Sequence, residues 1–361
     1  MSAGPRTADA GRRHNHDHVL SILCAPGSPR VREAYPGRRV MITGGLGFIG
    51  SNLARELVRR GSDVTLLDSL IPNYGGRLDN AAELRDQVKL NISDVRDRHS
   101  LRHLLARQDV IFNLAGQTSH LDSMSDPHTD LEINCTSQLS LLETCREVNP
   151  RARIVFASTR QIYGRPRYLP VDEDHPLNPV DVNGINKTAG EWYHLLYGQL
   201  YGLRVTALRL TNTYGPRMRI ADSRQTFLGA WIRAVLGGEP ITVLGSGEQL
   251  RDFTYVDDAV DAFLLAAAEP RAVGRVYNLG GLQPISLRAL AERVIAAAGG
   301  DGTYAFAPFP PERLAIDIGD YYADASRIEH ELGWRPRVPL EDGLARTIVF
   351  YRGQDLAGWL G

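Results

Sequence analysis

Cysteine is scarce in this 361-residue chain: Cys24, Cys135 and Cys145 are the only three, and no two form a C-x-x-C pair. That spacing excludes a disulfide framework and a cysteine-built zinc site. Long apolar runs are missing too, and no stretch approaches the ~20 apolar residues needed to cross a bilayer. Arg6, Arg12 and Arg13 near the N-terminus are not followed by the apolar segment of a secretory signal. Excess charge of one sign is absent, with 41 Lys and Arg against 42 Asp and Glu and a net charge of −1. Nothing global therefore draws the chain to nucleic acid or an anionic membrane, so local charges and backbone dipoles must hold any anionic ligand. These absences predict a soluble, cytoplasmic protein with no metal centre.

What is present is a hydrophobic content of 43%, enough for a sizeable core. Residues 1–37 are rich in Gly, Pro, Arg and His without periodicity and read as a flexible extension, whose His14, His16 and His18 would bind a metal only adventitiously. Residues 351–361 read as a tail. From Arg38 the pattern changes. Residues 38–43 form a short apolar strand, and a helix follows with Ile49, Leu53 and Leu57 on one face, closed by Gly61. Residues 64–67, 109–113, 152–157 and 204–210 are further apolar strands, separated by helical stretches near 98–107, 127–148 and 183–202. This alternation predicts an α/β fold, a doubly wound parallel sheet over 38–210. Beyond 210 it weakens. Helices near 225–237, 257–268 and 286–298, the last capped by Ser286, and short strand-like pieces at 241–244 and 275–277 predict a smaller lobe over 211–350.

Gly44, Gly47 and Gly50 fit G-x-x-G-x-x-G between the first strand and its helix. Alone, such a pattern also fits an ordinary turn. In this setting the glycines let the backbone approach a pyrophosphate, and the N–H groups at the positive end of the helix stabilise its charge. Phe48 and Ile49 fall inside the same turn. Asp68 ends the second strand and can accept hydrogen bonds from a ribose. It would repel a 2′-phosphate and no Arg follows it directly, so NAD is favoured over NADP.

Several segments occur in a telling order: TGGLGFIGS (43–51), DVRD (94–97), NLAGQ (113–117), STRQIYG (158–164), NGINKTAGE (183–191), RLTNTYGPR (209–217), RDFTYVDD (251–258) and ELGWRP (331–336). Over about 38–350 the chain thereby resembles the extended short-chain dehydrogenase/reductase family, specifically its nucleotide-sugar epimerases and dehydratases. The resemblance implies a Rossmann-like sheet, a C-terminal substrate-binding lobe and bound NAD. Asp94 would hold the adenine amino group, and the turn of Leu114, Ala115, Gly116 and Gln117 would pass under the cofactor. A homodimer would form through the helices at 127–148 and 183–202.

The family's catalytic set is a Ser or Thr, a Tyr, and a Lys four residues further along a helix. Thr159, with Ser158 beside it, matches the hydroxyl, and Lys187 matches the Lys that also grips the nicotinamide ribose. The Tyr position, however, holds Asn183. An asparagine has no usable pKa and cannot be a general base. Three explanations compete: a substitute base acts, substrate or water works with Lys187 and Thr159, or binding is kept without turnover. The first candidate base is His120, in the loop after the fourth strand, because its unperturbed pKa near ~6.5 suits the task. Asp122 and Tyr163 rank lower, the Tyr163 position being structural in the family. In 4,6-dehydratases the residues after the Thr are Asp and Glu, but here they are Arg160 and Gln161, which argues against 4,6-dehydration. Arg160 either touches an anionic group of the substrate or pairs with a carboxylate. For the substrate, the resemblance implies Asn212 and Arg251 on the phosphates, and Arg313 and Asp317 on phosphate and ribose, with Arg313 one residue out of register. Cys135 and Cys145 read as packing residues. The expected activity is NAD-dependent epimerisation of a nucleotide-activated sugar at C4 through a transient keto-sugar. The alternatives are a decarboxylase or dehydratase on the same scaffold, or a non-catalytic NAD- or nucleotide-sugar-binding protein.

Overall fold

A computed structural model describes residues 33–223 and 225–354, so Cys24, the histidines at 14, 16 and 18, and most of the two predicted tails lie outside the described residues. Seven parallel strands form the central sheet: β1 (Arg39–Thr43), β2 (Asp63–Asp68), β3 (Val88–Ile92), β4 (Val110–Asn113), β5 (Arg153–Thr159), β6 (Arg204–Leu210) and, last, Val276–Asn278. Their spatial order is Val276–Asn278, β6, β5, β4, β1, β2, β3. Helices cover both faces, which is why the strands are near-continuous apolar runs. The period of two divides β1 between two cores. Val40 and Ile42 join Leu53, Leu57 and Phe263 beneath the helices Phe48–Arg59 and Val256–Ala268. Met41 points to the opposite face, with Leu101, Leu141 and Tyr197 of the helices Arg98–Leu105, Ser137–Val148 and Val182–Tyr201. Strand order reverses between β1 and β4, so the loops leaving their carboxyl ends part and open a crevice.

The structure departs from the sequence expectations in four places. Order begins before Arg38: Tyr35 is buried, and its hydroxyl donates to the Leu264 carbonyl at 2.6 Å. The final helix, Leu340–Arg352, runs past residue 350, with the Tyr351 hydroxyl donating to Met218 O at 2.5 Å. The helix expected over 127–148 is interrupted by a wider π-type turn, Glu132–Thr136, which buries Ile133 and Asn134. The division at residue 210 is not clean either. The Val256–Ala268 helix packs on the Phe48–Arg59 helix, and Val276–Asn278 adds to the main sheet. β3 shows no apolar run in the sequence because it is an edge strand with none of its five residues fully buried. The remaining C-terminal lobe pairs Ile241–Leu244 with Tyr304–Ala307 and carries the helices Phe227–Leu236 and Leu287–Ala297; Ser286 caps the latter as expected, accepting from Ala289 N at 3.2 Å. Among the described residues no helix is long and apolar enough to cross a membrane.

Candidate active site

The glycine turn after β1 forms a cradle without side chains. Gly44 has φ +67°, the left-handed region that glycine favours, and a Cβ there would stand 3.1 Å from the Leu114 carbonyl group and Ala115 N. Gly47 is the N-cap of the Phe48–Arg59 helix, and neither a side-chain cap nor an acidic residue occupies the first turn. The N–H groups at that end are therefore free for an anion. A Cβ on Gly50 would fall 2.2 Å from Gly44 O, because the helix rests directly on the turn. Gly50→Ala is expected to force the two apart, costing about 1–3 kcal/mol or more. The purified variant should carry almost no NAD when the nucleotide released on denaturation is quantified; NAD content equal to wild type would contradict this.

One cleft of about 290 Å³ runs from this cradle across the carboxyl ends of the strands. Gly44, Gly47, Phe48, Ile49, Gly50, Asp68 and Asp94 line one end of the chain's contribution, and Leu114, Ala115 and Gly116 contribute further wall. The Thr43 hydroxyl fixes that wall, accepting from Leu114 N and Ala115 N at 3.1 Å each and donating to Asn113 Oδ1 at 2.8 Å. Asp68 accepts Leu46 N at 3.0 Å on one oxygen and Leu70 N at 2.9 Å on the other. Each oxygen retains accepting capacity for a ribose hydroxyl, and burial pushes the carboxyl's pKa up. Asp94 lines the cleft too, but Arg96 holds both its oxygens, at 3.0 and 2.8 Å, and reaches on to Glu132 at 2.6 Å. A role on adenine has to compete with that pair. The bare cradle, the uncapped helix and the Asp68 carboxylate together fit a dinucleotide.

At the other end, Thr159 closes β5. Its Oγ accepts Gln161 N at 3.3 Å, and its own proton is uncommitted among the described residues. Lys187 is 5% exposed on the Val182–Tyr201 helix, donating to Ala157 O at 3.2 Å with its ammonium 5.2 Å from the centre of the Phe156 ring. Burial pushes its pKa down to about 8, with the Asp130 charge opposing. Gly116 packs against this site: a Cβ there would stand 2.8 Å from Lys187 Nζ and 2.9 Å from Asn134 Oδ1, so those side chains would have to shift.

Asn183 borders the cleft, but its amide is already spent. Nδ2 donates to Gln117 O at 2.8 Å and to Asp130 Oδ2 at 2.9 Å. Asp130, 1% exposed, also accepts from Asn134 at 3.0 Å and Asn186 at 2.7 Å. Three asparagine amides thus solvate one buried carboxylate, and Asn183 acts as part of that cage. Asn183→Ala leaves Asp130 short of a donor and is expected to destabilise the fold by about 1–3 kcal/mol in denaturant titration. An unchanged midpoint would remove the cage role.

His120 opens the cleft's remaining side. Its Nδ1 lies 2.5 Å from Asp181 Oδ2, while Asp181 Oδ1 caps the Val182–Tyr201 helix by accepting Gly184 N at 2.6 Å. A carboxylate only accepts, so Nδ1 carries the proton; in the neutral ring Nε2 then presents its lone pair beside the Gln161 amide. Burial works against the Asp181 charge, but the hydrogen bonds from His120 and Gly184 N and the Arg160 charge outweigh it and hold the carboxyl's pKa down. Tyr163 lies elsewhere: its buried hydroxyl donates to Asn278 Oδ1 at 2.7 Å and accepts from Arg209 at 2.6 Å.

The expected substrate residues separate. Asn212 and Arg160 line the cleft, 3.4 Å apart, with the Arg160 guanidinium 5.2 Å from the centre of the Tyr321 ring. Arg251 and Asp317 are outside the lining. Arg251 donates to Leu250 O at 2.8 Å and to Gly319 O, and stands 3.7 Å from Asp317. Arg313 binds Ser223 Oγ at 2.7 Å, also off the cleft. Sequence reasoning missed Asp130, Asn134 and Asp181. Asp181 carried one signal, an N-cap carboxylate at the start of a helix, but nothing that tied it to a histidine 61 positions away. Cys145 is fully buried as expected, and Cys135 is half-buried.

The sequence profile of the NAD dependent epimerase/dehydratase family matches residues 40–280. Among curated proteins, the chain is 34% identical to UDP-glucose 4-epimerase of Mycolicibacterium smegmatis, covering 88% of this chain and 99% of that one. It is 33% identical to UDP-glucuronic acid decarboxylase 1 of Xenopus tropicalis, covering 87% of this chain and 72% of the relative. Among solved structures, the Thermus thermophilus UDP-glucose 4-epimerase complex with NAD superimposes with a TM-score of 0.78 at 32% identity, covering 87% of this chain and 99% of that one.

Proposed function

Since the chain belongs to the NAD dependent epimerase/dehydratase family, we propose that it inverts C4 of a nucleotide-activated sugar, with His120 in place of the family's tyrosine. The observation that carries this reading is the His120–Asp181 pair opening onto the cleft that also holds Thr159 and Lys187. Gly44–Gly50 and Asp68 would hold NAD, which would supply a reversible hydride acceptor when bound. A sugar hydroxyl displacing the Gln161 amide meets the His120 lone pair and passes its proton to Nε2. Asp181 holds the ring in the reactive tautomer and stabilises the imidazolium that forms. Thr159 donates its free O–H to the oxygen that becomes a carbonyl, and the Lys187 ammonium stabilises charge developing there. The keto-sugar turns, and the same groups act in reverse on its other face.

The test is to incubate the purified protein with a panel of nucleotide sugars in deuterated water and to analyse products by mass spectrometry and proton NMR. A product of unchanged mass, inverted at C4 and free of deuterium, is expected. Deuterium at a neighbouring carbon would shift the reaction there, through an enol. No product from a broad panel, with NAD still bound, would leave a binding protein.

A second reading is decarboxylation of a nucleotide-activated uronate. Arg160 favours it, because this cleft-lining guanidinium has no carboxylate in ion-pair contact among the described residues and would match a sugar carboxylate. Release of carbon dioxide from a uronate substrate decides between the two.

The working unit is read as a homodimer. Ile185, Trp192, Leu196 and Leu200 form an exposed stripe along the outer face of the Val182–Tyr201 helix, and Leu131, at the end of the Pro127–Leu131 helix, is exposed too. An apolar stripe of this kind on a surface helix calls for a partner. Trp192→Glu should halve the mass measured by light scattering; a wild-type monomer would refute the assembly.

A further inference from the structure

The sheet has a second cavity, at the ends of the strands opposite to the catalytic cleft. It is a solvent-open hollow of about 450 Å³, lined among the described residues by six arginines, Arg38, Arg39, Arg107, Arg151, Arg153 and Arg204, the first four exposed, against a single carboxylate, Asp109. The arrangement follows from the strand starts. Arg39, Arg153 and Arg204 are the first residues of β1, β5 and β6, and Asp109 immediately precedes β4. Arg153 and Arg204 are register partners in adjacent parallel strands, so two guanidinium groups begin side by side. Neighbouring strands are only about 4.8 Å apart, and like charges at that spacing oppose the fold unless something neutralises them.

The described residues supply little neutralisation. Asp109 is occupied by Arg39, accepting its backbone N–H at 2.9 Å and its guanidinium at 3.4 Å. Glu269, whose charge also reaches Arg153, pairs with Arg271 at 3.5 Å. Arg153 donates to Ala267 O at 2.7 Å, which fixes its guanidinium at the cavity wall. Arg38, Arg107, Arg151 and Arg204 have no ion pair or side-chain hydrogen bond among the described residues. Four uncompensated guanidiniums and one anchored one, around a concave space, present forked donors of the kind that bind phosphate oxygens.

We propose that this cavity binds a compact polyphosphate anion, free or carried by a nucleotide, at a site separate from the catalytic cleft. A concave volume of this size suits a small molecule, where a nucleic-acid duplex would need a broad positive face. An anion bridging Arg153 and Arg204 would bind only the folded chain, and so would stabilise it by mass action. Four of the sheet's strands, β1, β4, β5 and β6, start at this cavity and end at the catalytic cleft.

The test is calorimetric titration of the NAD-bound protein at low salt with inorganic tripolyphosphate, UDP, ATP and sulfate in separate runs. It is repeated on Arg38→Gln, Arg204→Gln and the double variant. Neither arginine holds another side chain, and neither lies in the catalytic cleft, so circular dichroism and turnover should match wild type. One tripolyphosphate per chain is expected, with affinity falling about tenfold at each substitution and steeply with added salt. Tighter binding of ATP or UDP than of tripolyphosphate, lost in the same variants, would assign the phosphates to a nucleotide. Equal binding by wild type and double variant would overturn the site. Binding of sulfate as tight as that of tripolyphosphate would mean an adventitious ion only.

Discussion

Replacing His120 by alanine is expected to lower kcat by about 10²–10⁴-fold, the usual contribution of a positioned general base, while NAD content stays at the wild-type level. The effect is large because, among the described residues lining the cleft, His120 is the ring nitrogen base oriented by a carboxylate. Asp181→Asn separates positioning from folding. Asparagine caps a helix as well as aspartate does, so the Val182–Tyr201 helix should survive. Its amide would nevertheless no longer select the Nδ1–H tautomer, and most of the loss should reappear in kcat with little change in thermal midpoint. Turnover of His120→Ala within tenfold of wild type would instead assign the proton transfer to substrate or water working with Thr159 and Lys187.

Lys187→Met should act in opposite directions on activity and stability. Burial depresses the ammonium's pKa from 10.5 to about 8. Between those values the unfolded chain holds a proton that the folded chain has released, so stability rises with pH across that window. Below about pH 8 the folded protein bears the full penalty, on the order of 3 kcal/mol at 1.36 kcal/mol per unit. Methionine fills a similar volume without charge. NAD-free Lys187→Met should therefore melt several degrees above the NAD-free wild type at pH 7, with the gap closing as pH approaches 10, and it should be inactive. A lower midpoint at pH 7 would mean that the Ala157 hydrogen bond and the Asp130 charge outweigh desolvation.

The elements that depend on local pattern were legible in the sequence. The Gly44–Gly50 turn, Asp68 at the end of β2 and the alternation of strands with helices all lie within short windows, where glycine spacing and apolar period carry the information. Lys187 and Thr159 were found through ordered motifs, and both border the cleft. What stayed hidden depends on contacts across the chain. Asp181 meets His120 from 61 positions away, and Asp130 gathers Asn134, Asn183 and Asn186 from two helices. Arg251 matched a motif, yet its guanidinium turns to Gly319 O and Asp317, a choice set by the loop that folds against it. Tyr35 falls in a stretch that reads as flexible because the four residues between Glu33 and Arg38 are too few to show a period, although the ring is buried in the first core.

The cage around Asp130 also bears on how such a site can change over generations. Placing tyrosine at position 183 in one step would take a donor from the buried Asp130 carboxylate. The intermediate would be less stable than either end point, so Asp130 and Asn183 should be inherited and exchanged as a set. Chains that keep one should keep the other, and a descendant with tyrosine at 183 should first have given up the aspartate.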